Sequence, residues 1–549
     1  MRKAINIILA ICIFIPAISA YSLQKTFDIV VFYNNDRHGG IAKGYATFMN
    51  PETPPPLGKY ASEAMLIKKY RELSQKHNFE VMILDQGDIW QGAPVGTLTD
   101  GEAVIHAYNL MQPDAVIVGN HEFDSGAENM DRLIEMADFP ILACNLFVNE
   151  EETKLYPGVK PYIIKEYDMW NGDILKVGII GLTTQDTKGM SLPGNTDILT
   201  VGDEIKYAQM YSDSLKKLGC DFIILSAHVG LPFDAREGYL NKIKEETEQA
   251  NPEDTPYKST GYLDIASEVE GVDVAFGGHI HVGYHEPWED PNTHMMVFQN
   301  YGHGTGTGAV RFKFDPESKV FMGYEPIAEN DALITLFSDD FWPDPDVDRY
   351  VDSLAQDAEK HLETVIAKSE GLINRGDATS NKVGHIICDA IVEASGCDVA
   401  NVNMGGVRAS LPSGSITKKD VFTVMPFDNK IVVVQLSGKD LKAVIERMAG
   451  KYGGALIGGA RIKWDSDKPE GERIVSFKID GQEVQDDKQY EFGVNDYIFH
   501  SYGIPQLKDA PDDKVKHTGI LLRTAIEDWL KKHSPISPGT DDRWVDVTK

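Results

Sequence analysis

Short runs rich in β-branched and aromatic residues alternate along the chain with stretches whose apolar positions recur every three to four residues. The runs at 27–32, 81–84, 115–118, 175–180, 222–225 and 272–276 are almost continuously apolar, the pattern of strands buried within a layered fold. Each ends in a polar or glycine-rich loop. Between them, 59–75 and 203–218 carry helical spacing, and the alternation predicts an α/β sandwich over 27–325. The glycine-spaced stretch 295–314 predicts antiparallel strands that close it.

The pattern changes over 326–365. Phe341-Trp342-Pro343-Asp344-Pro345-Asp346 breaks the chain, and charge-rich helical spacing over 347–368 predicts a linker helix. A second α/β unit is expected over 366–535, with a helix at 383–394, strands at 431–436 and 474–479, and a last helix at 519–532. At 549 residues the chain is too long for one ordinary core, which agrees with two units.

The first twenty residues follow another grammar. Arg2 and Lys3 precede the apolar run 5–15, then come Pro16 and Ala17-Ile18-Ser19-Ala20. This predicts a secretory signal peptide over 1–20, cleaved near Ala20, and a mature protein that is exported, periplasmic or extracellular. No later stretch is uniformly apolar enough for a membrane span. With 53 basic and 84 acidic residues the net charge is −31, which argues against duplex nucleic acid or an anionic membrane as main partner and leaves small anions open. Cys144, Cys220, Cys388 and Cys397 lack close paired spacing, so they are expected as buried thiols or in one or two disulfides rather than as metal ligands.

Metal-type side chains fall directly after the predicted strands. Asp36 and His38 follow the first, Asp88 the second, Gly119-Asn120-His121-Glu122-Phe123-Asp124 the third, Ala227-His228 the next, and Gly278-His279-Ile280-His281 the last. Each block alone is more often a turn, a cap or a structural histidine. Five together point to loops gathered at one sheet edge, where α/β proteins place their active sites. Such nitrogen and oxygen donors suit two divalent ions, Zn, Mn, Co or Fe rather than Ca or Mg, with Asp88 able to bridge them. Beside Asn120, His121 is a candidate general acid that Asp124 would orient.

In order, these blocks resemble the metallophosphoesterase motifs of the 5′-nucleotidase family, and the resemblance covers nearly the whole mature chain. It implies a metallophosphoesterase-type β-sandwich flanked by helices, a linker helix and a C-terminal α/β substrate-binding domain. It implies one metal on Asp36, His38, Asp88 and His281, another on Asp88, Asn120, His228 and His279, and a catalytic dyad of His121 and Asp124. Asn403-Met404-Gly405-Gly406-Val407-Arg408 resembles the family's Asn-x-Gly-Gly-Ile-Arg block, in which Arg408 would meet phosphate and Asn403 the nucleoside, with Gly405 and Gly406 allowing close approach. Phe427 and Tyr497 would clamp a base, and Arg375 would be a further phosphate contact. Two departures leave base and sugar preference open: Phe499-His500-Ser501-Tyr502-Gly503 stands where Gly-Gly-Asp-Gly is usual, and His385 where Asn is common. The expected activity is removal of phosphate from a nucleotide. The alternatives are a 2′,3′-cyclic-nucleotide phosphodiesterase/3′-nucleotidase, a UDP-sugar hydrolase, or a catalytically silent nucleotide-binding surface protein.

Overall fold

The computed structural model describes residues 26–46, 48–50, 53–191, 194–247, 260–377, 380–450, 454–501, 504–539 and 543–548. The expected signal peptide lies outside them.

The N-terminal half is built on two sheets packed face to face. The first runs Phe321–Pro326, Gly306–Phe314, Phe27–Asn34, Phe79–Asp85, Ala115–Ile117, Ile141–Leu142, with Leu333–Thr335 paired to Gly306–Phe314. The second runs Trp288–Glu289, Met296–Gln299, Val274–Gly277, Phe222–Ala227, Ile174–Leu182, Tyr162–Asp168. All eight residues of Phe27–Asn34 are buried. Its Ile29, Val31 and Tyr33 enter the core between the sheets with Leu84, Ile179, Ile224, Phe276 and Phe312. Val30 and Phe32 face the other way, against Tyr60, Ile67 and the helix Glu102–Met111, so a strand covered on both faces has no polar side to show. The outer face of the second sheet is covered by Tyr207, Leu215, Tyr262 and Ile265 from the helices Glu204–Lys217 and Tyr262–Glu268. The result is the expected sandwich flanked by helices.

Three expectations change. The stretch 295–314 does not form one antiparallel pair: Met296–Gln299 adds in parallel to Val274–Gly277, whereas Gly306–Phe314 pairs antiparallel to Phe27–Asn34 in the other sheet. Residues 300–305 therefore cross between sheets. The helix expected over 347–368 is Pro345–Glu359, and Val365–Ser369 is a strand paired with Gly414–Thr417, in keeping with β-branched Val365 and Ile366. That helix lies on the helix Lys59–Ser74 and buries Val351 and Ala355 in the N-terminal core. The last helix begins at Leu522, because Gly519 adopts a φ of +72° and Val515–Leu521 is extended.

The C-terminal half centres on a five-stranded sheet, Leu456–Gly458, Val399–Val402, Gln489–Asn495, Lys430–Ser437, Val515–Leu521. Helices Lys382–Ser395 and Leu522–His533 cover one face through Ile387, Ile391, Ile526 and Leu530. Helix Gly438–Gly450 and a small four-stranded sheet carrying Trp464 and Phe477 cover the other. Among the described residues Cys144, Cys220, Cys388 and Cys397 are free thiols. Among the described residues no helix is long and apolar enough to cross a membrane.

Lys59 opens the helix Lys59–Ser74 with a left-handed φ of +44°. Its ammonium makes no ion pair or hydrogen bond with a described residue. Burial, then the charges of Arg37 and Lys419, push its ammonium down to about 8 from 10.5, and the positive end of its own helix opposes it further. The folded state therefore disfavours the charged form, a penalty fully present below pH 8 and relieved as pH rises towards 10.5. Lys59→Met should stabilise the protein by about 1–3 kcal/mol at pH 7, with the gain fading above about pH 10. Urea denaturation at the two pH values measures it, and an equal effect at both would contradict the assignment.

Candidate active site

Five parallel strands end at one edge of the sandwich: Phe27–Asn34, Phe79–Asp85 and Ala115–Ile117 in the first sheet, Phe222–Ala227 and Val274–Gly277 in the second. The loops that leave them bring all seven expected metal ligands together. Asp36, His38 and His281 form one cluster, and Asp88, His228 and His279 another; within each, the donor atoms lie within 4.8 Å of one another.

Local backbone sets this convergence. Asp36, His38, Asp88, His279 and His281 all have positive φ, between +48° and +75°, a region that bulky residues rarely adopt and that gathers at functional sites. Gly119 is needed because a Cβ there would lie 2.3 Å from Asp88 Oδ1. Glu122 pins the same loops, accepting from the N–H groups of Gly119, Asp88 and Ile89. Burial, with Asp88 adding to it, pushes the Glu122 carboxyl up to about 7.

Each aspartate has one oxygen occupied and one turned inward. Asp36 Oδ2 accepts from Asn35 Nδ2 at 2.7 Å and His279 N–H at 2.8 Å, whereas its buried Oδ1 has no hydrogen-bond donor and lies 3.3 Å from His281 Nε2. Asp88 Oδ1 accepts from His121 N–H at 2.8 Å. Its Oδ2 lies 3.1 Å from His228 Nε2 and 3.9 Å from His38 Nε2, between the two clusters. Histidine tautomers follow the same plan. His38 Nδ1 faces Gln91 O at 2.6 Å and His228 Nδ1 faces Gln86 O at 2.7 Å, so these nitrogens donate, and in the neutral imidazoles that a metal ion would select the Nε2 atoms carry lone pairs. Those lone pairs point at further acceptors: His38 Nε2 is 3.0 Å from His281 Nε2, and His228 Nε2 is 3.0 Å from Asn120 Oδ1. Two buried groups of inward-facing imidazole nitrogens and carboxylate oxygens suit cations, and a set of imidazole, carboxylate and amide donors without thiolate fits divalent transition metals.

His121 stands beside the first cluster, its ring 5.3 Å from that of His38. Its Nδ1 lies 2.7 Å from Asp124 Oδ2. Burial works to lower its pKa, but the carboxylates of Asp124 and Asp88 outweigh it and hold the imidazole up at about 9, the protonated form a general acid requires.

The C-terminal half meets this edge directly. The Phe427 ring lies 5.7 Å from that of His121, with the Arg408 guanidinium 5.8 Å from the Phe427 centroid. Arg408 donates to Gly405 O at 3.2 Å. Asn403 Oδ1 accepts from Asn495 Nδ2 at 3.0 Å, and a Cβ on Gly406 would lie 2.9 Å from that oxygen. Arg375 donates from Nε to Val407 O and from its backbone N–H to Ser410 Oγ, which sets it behind the Arg408 loop. Tyr497 lies on the helix Asp496–Ser501, packed against the short helix Thr187–Met190 of the other half. His385 is buried in the helix Lys382–Ser395. The divergent stretch 499–503 is described only to residue 501.

Sequence reading assigned no role to a buried network beneath the site. Arg37 pairs with Glu63 at 2.8 Å and donates to Tyr108 Oη at 2.8 Å, and Tyr108 donates to Asp85 at 2.6 Å. Arg37 stands between two metal-type residues and could have been noticed there; Glu63 and Tyr108 sit inside helical patterns and gave no signal.

Fold and site together define a metallophosphoesterase, an enzyme that hydrolyses phosphoric esters at divalent metal. Residues 38–283 match the calcineurin-like phosphoesterase family model, and 364–509 match that of the 5′-nucleotidase C-terminal domain. The 5′-nucleotidase of Vibrio parahaemolyticus is 26% identical over 98% of this chain and 94% of its own length. Protein UshA of Yersinia enterocolitica is 25% identical over 94% and 93%. The crystal structure of a 5′-nucleotidase precursor from Thermus thermophilus shares the fold, with a TM-score of 0.76 and 23% identity over 95% of this chain and 100% of that one. The chain thus carries, in order, a calcineurin-like phosphoesterase domain and a 5′-nucleotidase C-terminal domain, and is similar to 5′-nucleotidases along nearly its whole length.

Proposed function

We propose that this is an exported two-metal phosphohydrolase that removes phosphate from nucleotides. The observation that carries the reading is the double cluster of inward-facing acceptors with Asp88 Oδ2 between its halves. Asp36, His38, Asp88 and His281 would hold one ion, and Asp88, Asn120, His228 and His279 the other. Bound there, the ions polarise phosphoryl oxygens and lower the pKa of water, so that a nucleophile exists near neutral pH. The chain's own groups supply the rest. His121, kept cationic by Asp124, donates to a phosphate oxygen or protonates the leaving oxygen. Arg408, and behind it Arg375, gives the substrate's negative charge a guanidinium partner. Phe427 offers an aromatic face to a base within a ring's width of His121, with Tyr497 and Asn403 as the remaining nucleoside contacts. The leader-like first twenty residues support export, and the domain limits 27–325, 326–365 and 366–535 remain part of this reading.

Purified protein should release phosphate from AMP, lose that activity on dialysis against a chelator and regain it with Mn or Zn. A panel of AMP, 2′,3′-cyclic AMP and UDP-glucose ranks the substrates. Metal-independent release, or none from any nucleotide, would end the proposal.

A further inference from the structure

His279 differs from His38 and His228 in which nitrogen it presents. Its Nδ1 faces the second cluster, 3.0 Å from Asn120 Oδ1 and 3.3 Å from His228 Nε2. A lone pair on Nδ1 requires the proton on Nε2. Among the described residues no backbone carbonyl of the kind that fixes His38 and His228 meets that N–H; it faces Asp186 Oδ2 at 3.7 Å, an ion-pair distance longer than a direct hydrogen bond.

The backbone around Asp186 is fixed by hydrogen bonds. Its loop leaves the strand Ile174–Leu182, whose end pairs with that of Phe222–Ala227, the strand leading to His228. Buried groups fasten it at every step: Thr183 N–H donates to Asn145 Oδ1 at 3.0 Å, Gln185 N–H to Glu204 Oε1 at 2.7 Å, and Asp186 N–H to Thr184 Oγ1 at 3.1 Å. Beyond the turn, Ser191 Oγ donates to the backbone oxygen of Asn120, so one segment braces two of the second cluster's donors. The ordinary alternative is that Asp186 caps the helix Thr187–Met190. It occupies the N-cap position but makes no side-chain cap hydrogen bond.

We propose that Asp186 is a positioning residue that holds His279 as the Nε2–H tautomer and thereby sets the affinity of the second cluster for its metal ion. This rests on the two-metal reading above. A carboxylate opposite the far nitrogen of a ligating imidazole fixes ring orientation and raises ligand basicity, and its loss typically weakens metal binding roughly 10–100-fold.

The test uses the full mature chain, stripped of metal and titrated with Mn or Zn against a competing chelator, with total metal counted per chain. Wild type should bind two ions. Asp186→Asn should bind one of them roughly 10–100-fold more weakly, leave the other unchanged, and recover kcat at saturating metal with KM for the nucleotide unaltered. Asp186→Glu should restore most of the affinity. The thermal midpoint of the metal-free Asp186→Asn protein should match that of metal-free wild type. Wild-type affinity for both ions in Asp186→Asn would overturn the role of Asp186 alone. Loss of both ions together with a lowered metal-free midpoint would overturn it in favour of a merely structural part. A wild type that binds only one ion would remove the two-metal reading and this inference with it.

Discussion

Replacing His121 with alanine is expected to lower kcat for nucleotide hydrolysis about 10²–10⁴-fold while metal content stays at the wild-type level. The ring of His121 stands beside the first cluster without being part of it, so its removal takes away a proton donor and no metal donor. The backbone N–H of residue 121, which holds Asp88 Oδ1, survives the substitution. A leaving group that needs no protonation separates the two effects. Against p-nitrophenyl phosphate the deficit should shrink well below that for AMP, because a phenolate departs without an acid. An equal deficit on both substrates would assign His121 to phosphate binding, and an unchanged kcat would remove it from the mechanism.

Asp88→Asn should be comparably damaging, and for a different reason. The amide keeps the size of the side chain and an oxygen for His121 N–H, but puts an NH₂ where Asp88 Oδ2 now stands, 3.1 Å from His228 Nε2 and 3.9 Å from His38 Nε2. A donor in that place serves neither cluster. Both ions should bind more weakly, and phosphate release should fall about 10³-fold, the loss of several kcal/mol of charge stabilisation. Metal analysis beside the rate measurement checks this: full occupancy of both clusters in Asp88→Asn would refute the bridging role.

Much of the site was legible because its chemistry is written in loops. Asp36, His38, Asp88, Asn120, His228, His279 and His281 each follow an apolar run, and strand length and parallel pairing do the rest. The sandwich was legible for the same reason: a strand such as Phe27–Asn34, covered on both faces, has a composition that little else produces. What failed to show was long-range. Nothing local in 295–314 says that Met296–Gln299 and Gly306–Phe314 belong to different sheets, since the two strands look alike in isolation. The helix over 347–368 was overextended because charged residues at 357–363 continue a helical pattern after the chain has turned. Glu63, Tyr108 and Glu122 support the site through hydrogen bonds to distant residues, and a buried polar side chain in a helix looks like an exposed one until its partner is known. Asp186 was hidden likewise, as an acid among threonines in an unremarkable loop.

The left-handed backbone at Asp36, His38, Asp88, His279 and His281 has a bearing on the life of the molecule without its ions. Each such residue is held against its own preference by about 1–3 kcal/mol. On the proposed two-metal reading, ligation would be the contact that rewards this arrangement, and cation supply and conformational integrity would be one equilibrium. Starved of metal, the protein should first give way at its catalytic rim, while the aromatic interior between the sheets stays shut.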